Sequence, residues 1–191
     1  FQAFNIVILS IDRIILGIDP GTNILGYGLI HNKDKKIELI TMDVIKLNRL
    51  SDPYLKLKTI FEETLAVIEK YKPDELAIES PFYGKNVQVM LKLGRAQGVA
   101  IAAALYKSLP VFEYSPRKIK QSITGKGNAS KEQVASMLAR LVAIDTSPEY
   151  LDATDALGVA VCHYFQKNTT PDSKLFSGWK SFVVNNPGRI K

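Results

Sequence analysis

Cysteine is almost missing from the 191 residues, Cys162 being the single one. A lone thiol excludes an intrachain disulfide and any zinc site built from several cysteines, and it fits a reducing compartment. Histidine is scarce as well, with His31 and His163 alone, so nitrogen and sulfur donors for a zinc centre are too few. Both histidines read as structural. Long hydrophobic runs are lacking too. The most apolar later stretch, Val99 to Tyr106, is flanked by Lys92, Arg95 and Lys107 and falls far short of the roughly 20 residues that cross a bilayer. No membrane association is expected. Phe1 to Ser10 has no basic start, an apolar run too short for a signal core and no small-residue cleavage site, which disfavours secretion and points to the cytoplasm. Residues 1–12 read as an N-terminal extension or expression remnant. Disorder is excluded as the dominant state, since 46% of residues are hydrophobic and 23% charged, with the apolar ones spread along most of the length. One full hydrophobic core fits this length, and two do not fit comfortably.

The charge that is present leans one way. A formal net charge of +6 biases the surface toward a polyanionic partner, with nucleic acid as the leading class. The aliphatic run Arg13 to Ile18 stops at Asp19-Pro20-Gly21 and predicts a buried strand ending in a turn. Leu25 to His31 and Lys36 to Ile45, joined by the polar Asn32–Lys35 connection, predict a hairpin that completes three antiparallel strands. Ser51-Asp52-Pro53 caps a helix whose apolar residues recur from Leu57 to Tyr71 at three- and four-residue steps. A short strand Glu75 to Ile78, a long helix from about Asn86 to Lys107 and a strand Leu109 to Tyr114 follow. Then come a basic helix from Ser115-Pro116, a flexible Gly125-Lys126-Gly127 loop and a helix opened by the Ser130–Gln133 capping box. The last helix starts at Ser147-Pro148 and runs to about Lys167. The fold class is thus α/β: a mixed five-stranded sheet, three antiparallel strands then two parallel, flanked by helices. Residues 13–167 form one domain and 168–191 a tail.

In such a sheet, ligands gather at the carboxyl ends of the parallel strands. Asp19 and Glu79 sit at two such ends, and the two acids meet if the first and fourth strands are neighbours. Asp152 and Asp155, three apart in Leu151–Leu157, share a helix face. Taken singly, each acid has an ordinary structural explanation as a turn residue or a first-turn helix residue. Together, at the edge of a core, they would repel or protonate unless cations hold them. An all-oxygen donor set selects magnesium, with manganese as a substitute. Two such ions suit phosphodiester hydrolysis, since they can bind the attacking and the leaving oxygen.

The segments Ile15–Gly21 with Gly26-Tyr27-Gly28, Ala77–Ser80 with Lys85-Asn86, Leu91–Gly94 with Gln97–Ile101, Leu109–Tyr114, Ile119–Gln121, Gly125–Gly127, Lys131–Val134 and Asp152–Leu157 together closely resemble the RuvC family of bacterial Holliday-junction resolvases. The resemblance runs from about Ile14 to Tyr164. It implies a ribonuclease-H-like fold, a homodimer, and paired nicks across a four-way DNA junction, leaving 5′-phosphate ends. The family's metal-binding acids fall on Asp19, Glu79, Asp152 and Asp155, its two cleavage lysines on Lys120 and Lys131, and an aromatic that contacts unpaired junction bases on Phe82. Partnership with the branch-migration proteins RuvA and RuvB is implied in the same way.

Between Lys107 and Lys131 six cations face the single acid Glu113. Arg117, Lys118 and Lys126 among them suit phosphate contacts on the rim of an acidic site, although a solvated helix face has the same composition. Phe82, Tyr83 and Lys85 follow Glu79 on a loop where an aromatic can stack on a base or pack against its own domain. Gly94 and Gly98, with Ala102, permit close packing of their helix, in the core or at a dimer contact. Two other functions remain open at this point. Gly17–Thr22 also looks like the phosphate loop of actin-like ATPases and sugar kinases, and a non-catalytic junction-binding module is the other alternative.

Overall fold

The computed structural model describes residues 12–34, 36–81, 86–142 and 151–169. Its strands are β1 (Arg13–Asp19), β2 (Ile24–Lys33), β3 (Lys36–Lys46), β4 (Glu75–Glu79) and β5 (Val111–Tyr114). Its helices are α1 (Pro53–Tyr71), α2 (Val87–Tyr106), α3 (Pro116–Thr124), α4 (Lys131–Val142) and α5 (Leu151–Thr169). The sheet order is β3-β2-β1-β4-β5. The first three strands pair antiparallel, whereas β4 runs parallel to β1 and β5 parallel to β4. β1 and β4 are neighbours, as the pairing of their terminal acids requires.

Alternation along the central strands sends side chains to two cores. Leu16 and Ile18 of β1 and Leu76 and Ile78 of β4 pack against α1 and α2, while Ile15 and Ala77 face α3, α4 and α5. With both faces covered, these strands carry continuous apolar runs. Helix ends follow their local chemistry. The Asp52 carboxylate accepts from the Tyr54 amide at 2.7 Å with Pro53 next in line. Ser130 and Gln133 exchange side-chain and backbone bonds at 3.0 and 3.3 Å ahead of α4. Gly125, at φ 76°, ends α3 in the left-handed conformation glycine tolerates best. β5 is shorter than the sequence predicts: the Leu109 amide still bonds back to Ala104 and Ser108 sits at φ 57°, so the strand starts at Val111, with the Pro110 carbonyl accepting from the Leu76 amide at 2.8 Å ahead of it.

The close helix-to-sheet contact lies elsewhere than expected. Gly94, Gly98 and Ala102 of α2 are exposed, with open space where a Cβ would sit on either glycine. The buried face of α2 is instead Ala96, Gln97, Ala100, Ala103 and Ala104. It is α5 that lies directly on backbone: a Cβ on Gly17 would stand 2.2 Å from the Ala156 carbonyl oxygen, and one on Gly26 2.3 Å from that of Asp152. The N-terminal residues 1–11, the expected helix start at Ser147-Pro148, the loop residues Phe82, Tyr83 and Lys85, and the chain from 170 onward lie outside the described residues. Among the described residues no helix is long and apolar enough to cross a membrane.

Candidate active site

The register Ile18↔Ile78 puts the last residues of β1 and β4 next to each other. Asp19 and Glu79 follow Gly17 and Ala77 in the alternation and face the α5 side of the sheet. Gly26 pairs with Asp19 across β1 and β2 and leaves room for the α5 backbone at Asp152. The result is a cavity of about 230 Å³ lined by Asp19, Glu79, Asp155, Lys120 and Lys131, with Ile119 and Val134 among its walls. Three of the four expected acids therefore share one cavity. Asp152 is exposed and lies off its lining, yet its charge still acts on Asp19 and Lys131.

These carboxyls are short of compensating charge. Burial pushes the Asp19 carboxyl up to about 7, helped by the negative charges of Asp155 and Asp152 and opposed by Lys131. Glu79 is pushed up to about 8, again mainly by burial, then by Asp19 and Asp155, with Lys131 and Lys120 opposing. The Lys131 ammonium donates to Asp155 Oδ2 at 2.5 Å, and that bond raises its own affinity for the proton. Among the described residues no group of three acid, histidine or cysteine side chains is arranged to hold a metal ion as it stands, and the Lys131 ammonium occupies Asp155 Oδ2. The donor set still fits a hard divalent cation. It is all oxygen, open to solvent on one side and holds protons at neutral pH that a cation would displace. Asp19, Glu79 and Asp155, which line one cavity, are the residues that would hold it, with Asp152 acting on Asp19 by its charge.

The basic residues divide. Lys120 of α3 and Lys131 of α4 reach the cavity. Arg117, Lys118 and Lys126 lie exposed on α3 and the loop after it, with Gly127 so close to Arg117 that a Cβ there would stand 2.7 Å from Arg117 Cγ. Lys107 is at the opposite end of the parallel strands, four residues ahead of Val111, and pairs with Glu69 at 2.7 Å. It belongs to α1 packing and not to the rim of the site.

Two features behind the site were not read from the sequence. Gln97, buried on α2, donates to Glu113 Oε2 at 2.8 Å and to the Glu79 carbonyl at 3.5 Å, bracing the end of β4. The only hint was an amide among alanines on a buried helix face. Deeper still, Glu75 accepts from Arg13 at 3.2 Å and from His163 Nε2 at 2.8 Å, and Tyr114 OH bonds His163 Nδ1 at 2.7 Å. His163 is fully buried against the Phe112 ring, and His31 pairs with Asp12 at the surface, so both are structural as read. The Tyr114 hydroxyl is pushed up to about 12, chiefly by burial.

The model of the family described as crossover junction endodeoxyribonuclease RuvC matches residues 15–163. The chain belongs to the RuvC family. Among RuvC relatives, that of Cytophaga hutchinsonii is 60% identical over 182 residues, 95% of this chain and 90% of its own. The Bacteroides fragilis RuvC is 54% identical over 94% of this chain and 97% of its own. The T. thermophilus RuvC solved in complex with Holliday junction substrate superposes with a TM-score of 0.75 at 30% identity, covering 81% of this chain and 94% of that one. The fold is the ribonuclease-H-like one of RuvC. Membership also sets aside the ATPase reading of Gly17–Thr22, which here is the end of β1 and the turn after Asp19.

Proposed function

We propose that this chain is a divalent-metal-dependent endodeoxyribonuclease that resolves four-way DNA junctions by paired symmetric nicks in recombination and repair. The convergence of Asp19, Glu79 and Asp155 on one cavity with Lys120 and Lys131 carries this reading. Two magnesium ions per subunit, or manganese in their place, supply when bound the activation of the attacking water and the neutralisation of the leaving oxygen. Asp19, Glu79, Asp152 and Asp155 would hold them. Lys131 and Lys120 face the phosphate and stabilise the charge that builds on it. Arg117, Lys118 and Lys126 anchor the flanking backbone, and Phe82, Tyr83 and Lys85 meet the bases and phosphates at the junction centre. Cleavage leaves a 5′-phosphate and a 3′-hydroxyl.

Two symmetric nicks need two sites at a fixed separation, which a two-fold homodimer supplies. The exposed α2 face, with Val87 at 64%, Leu91 at 54% and Leu105 at 59% exposure around Gly94 and Gly98, supports pairing there, where bare helix backbone lets a second copy approach. RuvA and RuvB are the expected partners, and the cytoplasm, where the DNA is, the expected location. The reading is tested by magnesium-dependent cleavage of four-way, linear duplex and RNA–DNA hybrid substrates. Nicking of the four-way substrate alone is expected, with Asp19→Asn abolishing cleavage while junction binding persists. Equal cleavage of linear duplex, or an active Asp19→Asn protein, would overturn it.

A further inference from the structure

A second cavity, of about 460 Å³, opens on the other face of the sheet, between the β1–β2 turn, the start of α1 and the first half of α2. Its floor is apolar, made by the buried Leu47, Ile60 and Ala96, and its rim carries Lys56, Lys92 and Arg95. Among the described residues no carboxylate lines it. Lys56 donates to the Thr22 carbonyl at 3.1 Å and to Asn23 Oδ1 at 3.2 Å, so it braces the turn that follows Asp19 and keeps one N–H free. Lys92 and Arg95 are exposed and make no ion pair among the described residues. Tyr54, 76% exposed, stands at the mouth. Cations held without counter-charge over an apolar floor, next to an exposed ring, suit a sugar–phosphate chain better than an apolar or cationic ligand.

Position specifies the occupant further. Gly21, which lines the groove, lies two residues beyond Asp19, which lines the acid cavity, so the β1–β2 turn links the two, while Arg117, Lys118 and Lys126 belong to the α3 side of the sheet. We infer that the groove holds DNA backbone on the side of the cleaved phosphate away from α3, with Lys92 and Arg95 as the phosphate-binding cations. This rests on the nuclease reading above and gives the DNA a second bank. The strand then crosses the acids between two basic walls, which fix its position.

The test is titration of a fluorescent four-way junction with the full chain, without divalent metal, across about 50 to 200 mM salt. Three variants are compared with the parent protein: Lys92→Ala/Arg95→Ala, Lys118→Ala/Lys126→Ala, and Lys58→Ala as an exposed α1 control outside the groove. The groove variant is expected to raise Kd roughly tenfold and to lower the salt slope by about two, one for each phosphate no longer neutralised. An unchanged Kd and slope beside a weakened Lys118→Ala/Lys126→Ala protein would overturn the inference and leave the nuclease reading standing, as would an equal loss in the Lys58→Ala control. A parent protein that binds no four-way junction would sink the nuclease reading itself, and the groove assignment with it.

Discussion

Glu75 and Glu79 stand at opposite ends of the five-residue strand β4, on the same face, and their surroundings differ in kind. Glu75 is buried and has permanent partners, the Arg13 guanidinium and the His163 imidazole. Glu79 is half-buried, and the charges that act on it include two more acids, Asp19 and Asp155, opposed more weakly by Lys131 and Lys120. A carboxylate that serves the fold comes with its compensation built in. One that serves chemistry is left wanting, so that an external cation completes it.

The comparison breaks most sharply by substitution. Glu79→Gln is expected to lower magnesium-dependent nicking by about a thousandfold or more, since metal ligation contributes several kcal/mol at the transition state. The same change should leave the metal-free protein as stable as the parent or more so in urea titration, because an amide carries none of the cost of keeping a buried, acid-flanked carboxyl protonated. Glu75→Leu should do the reverse. It strands Arg13 and His163 and costs roughly 3 kcal/mol of stability, while the fraction that stays folded still nicks. A Glu75→Leu protein of parental stability would erase the distinction drawn between the two glutamates.

A pH series sharpens it. Asp19 and Glu79 bind their protons more tightly folded than unfolded, so between the ordinary carboxylate range and pH 7 to 8 the native state holds more protons than the unfolded one. Stability of the metal-free protein therefore falls as pH rises through that window and levels above it. Magnesium should restore more stability at pH 8 than at pH 6, which thermal melts with and without chelator can read. The smallest effect concerns Lys131. Its bond to Asp155 competes with any cation, so Lys131→Met should tighten magnesium binding by calorimetry a few-fold, in keeping with about 1 kcal/mol for an exposed pair, even as nicking slows. Unchanged or weaker metal binding would show that Lys131 does not compete.

Much of this was legible in the chain itself. The aliphatic runs ending at Asp19 and Glu79 set the strands, the turn chemistry at Asp52-Pro53, Ser115-Pro116 and Ser130–Gln133 set the helix starts, and the Asp152/Asp155 spacing put the last acids on one helix. What escaped depends on which face of an element meets which neighbour. Gly94 and Gly98 have the spacing of a packing face, yet the alanines on the other side of α2 are the ones buried. Lys107 groups with the basic segment by sequence, but the α2–β5 connection leaves it at the far edge of the sheet. The Arg13–Glu75–His163–Tyr114 chain joins β1, β4, α5 and β5, and no local pattern announces bonds between residues so far apart. Asp152 shows the limit most directly: two acids on one helix face need not enter the same cavity.

Because α5 rests on bare backbone at Gly17 and Gly26, the gap between the helix-borne acids and those of the sheet is gauged by the thickness of the main chain alone. One added methyl at Gly26 would act as a shim beneath that helix, widening the jaws of the site while every charged group remained in the sequence.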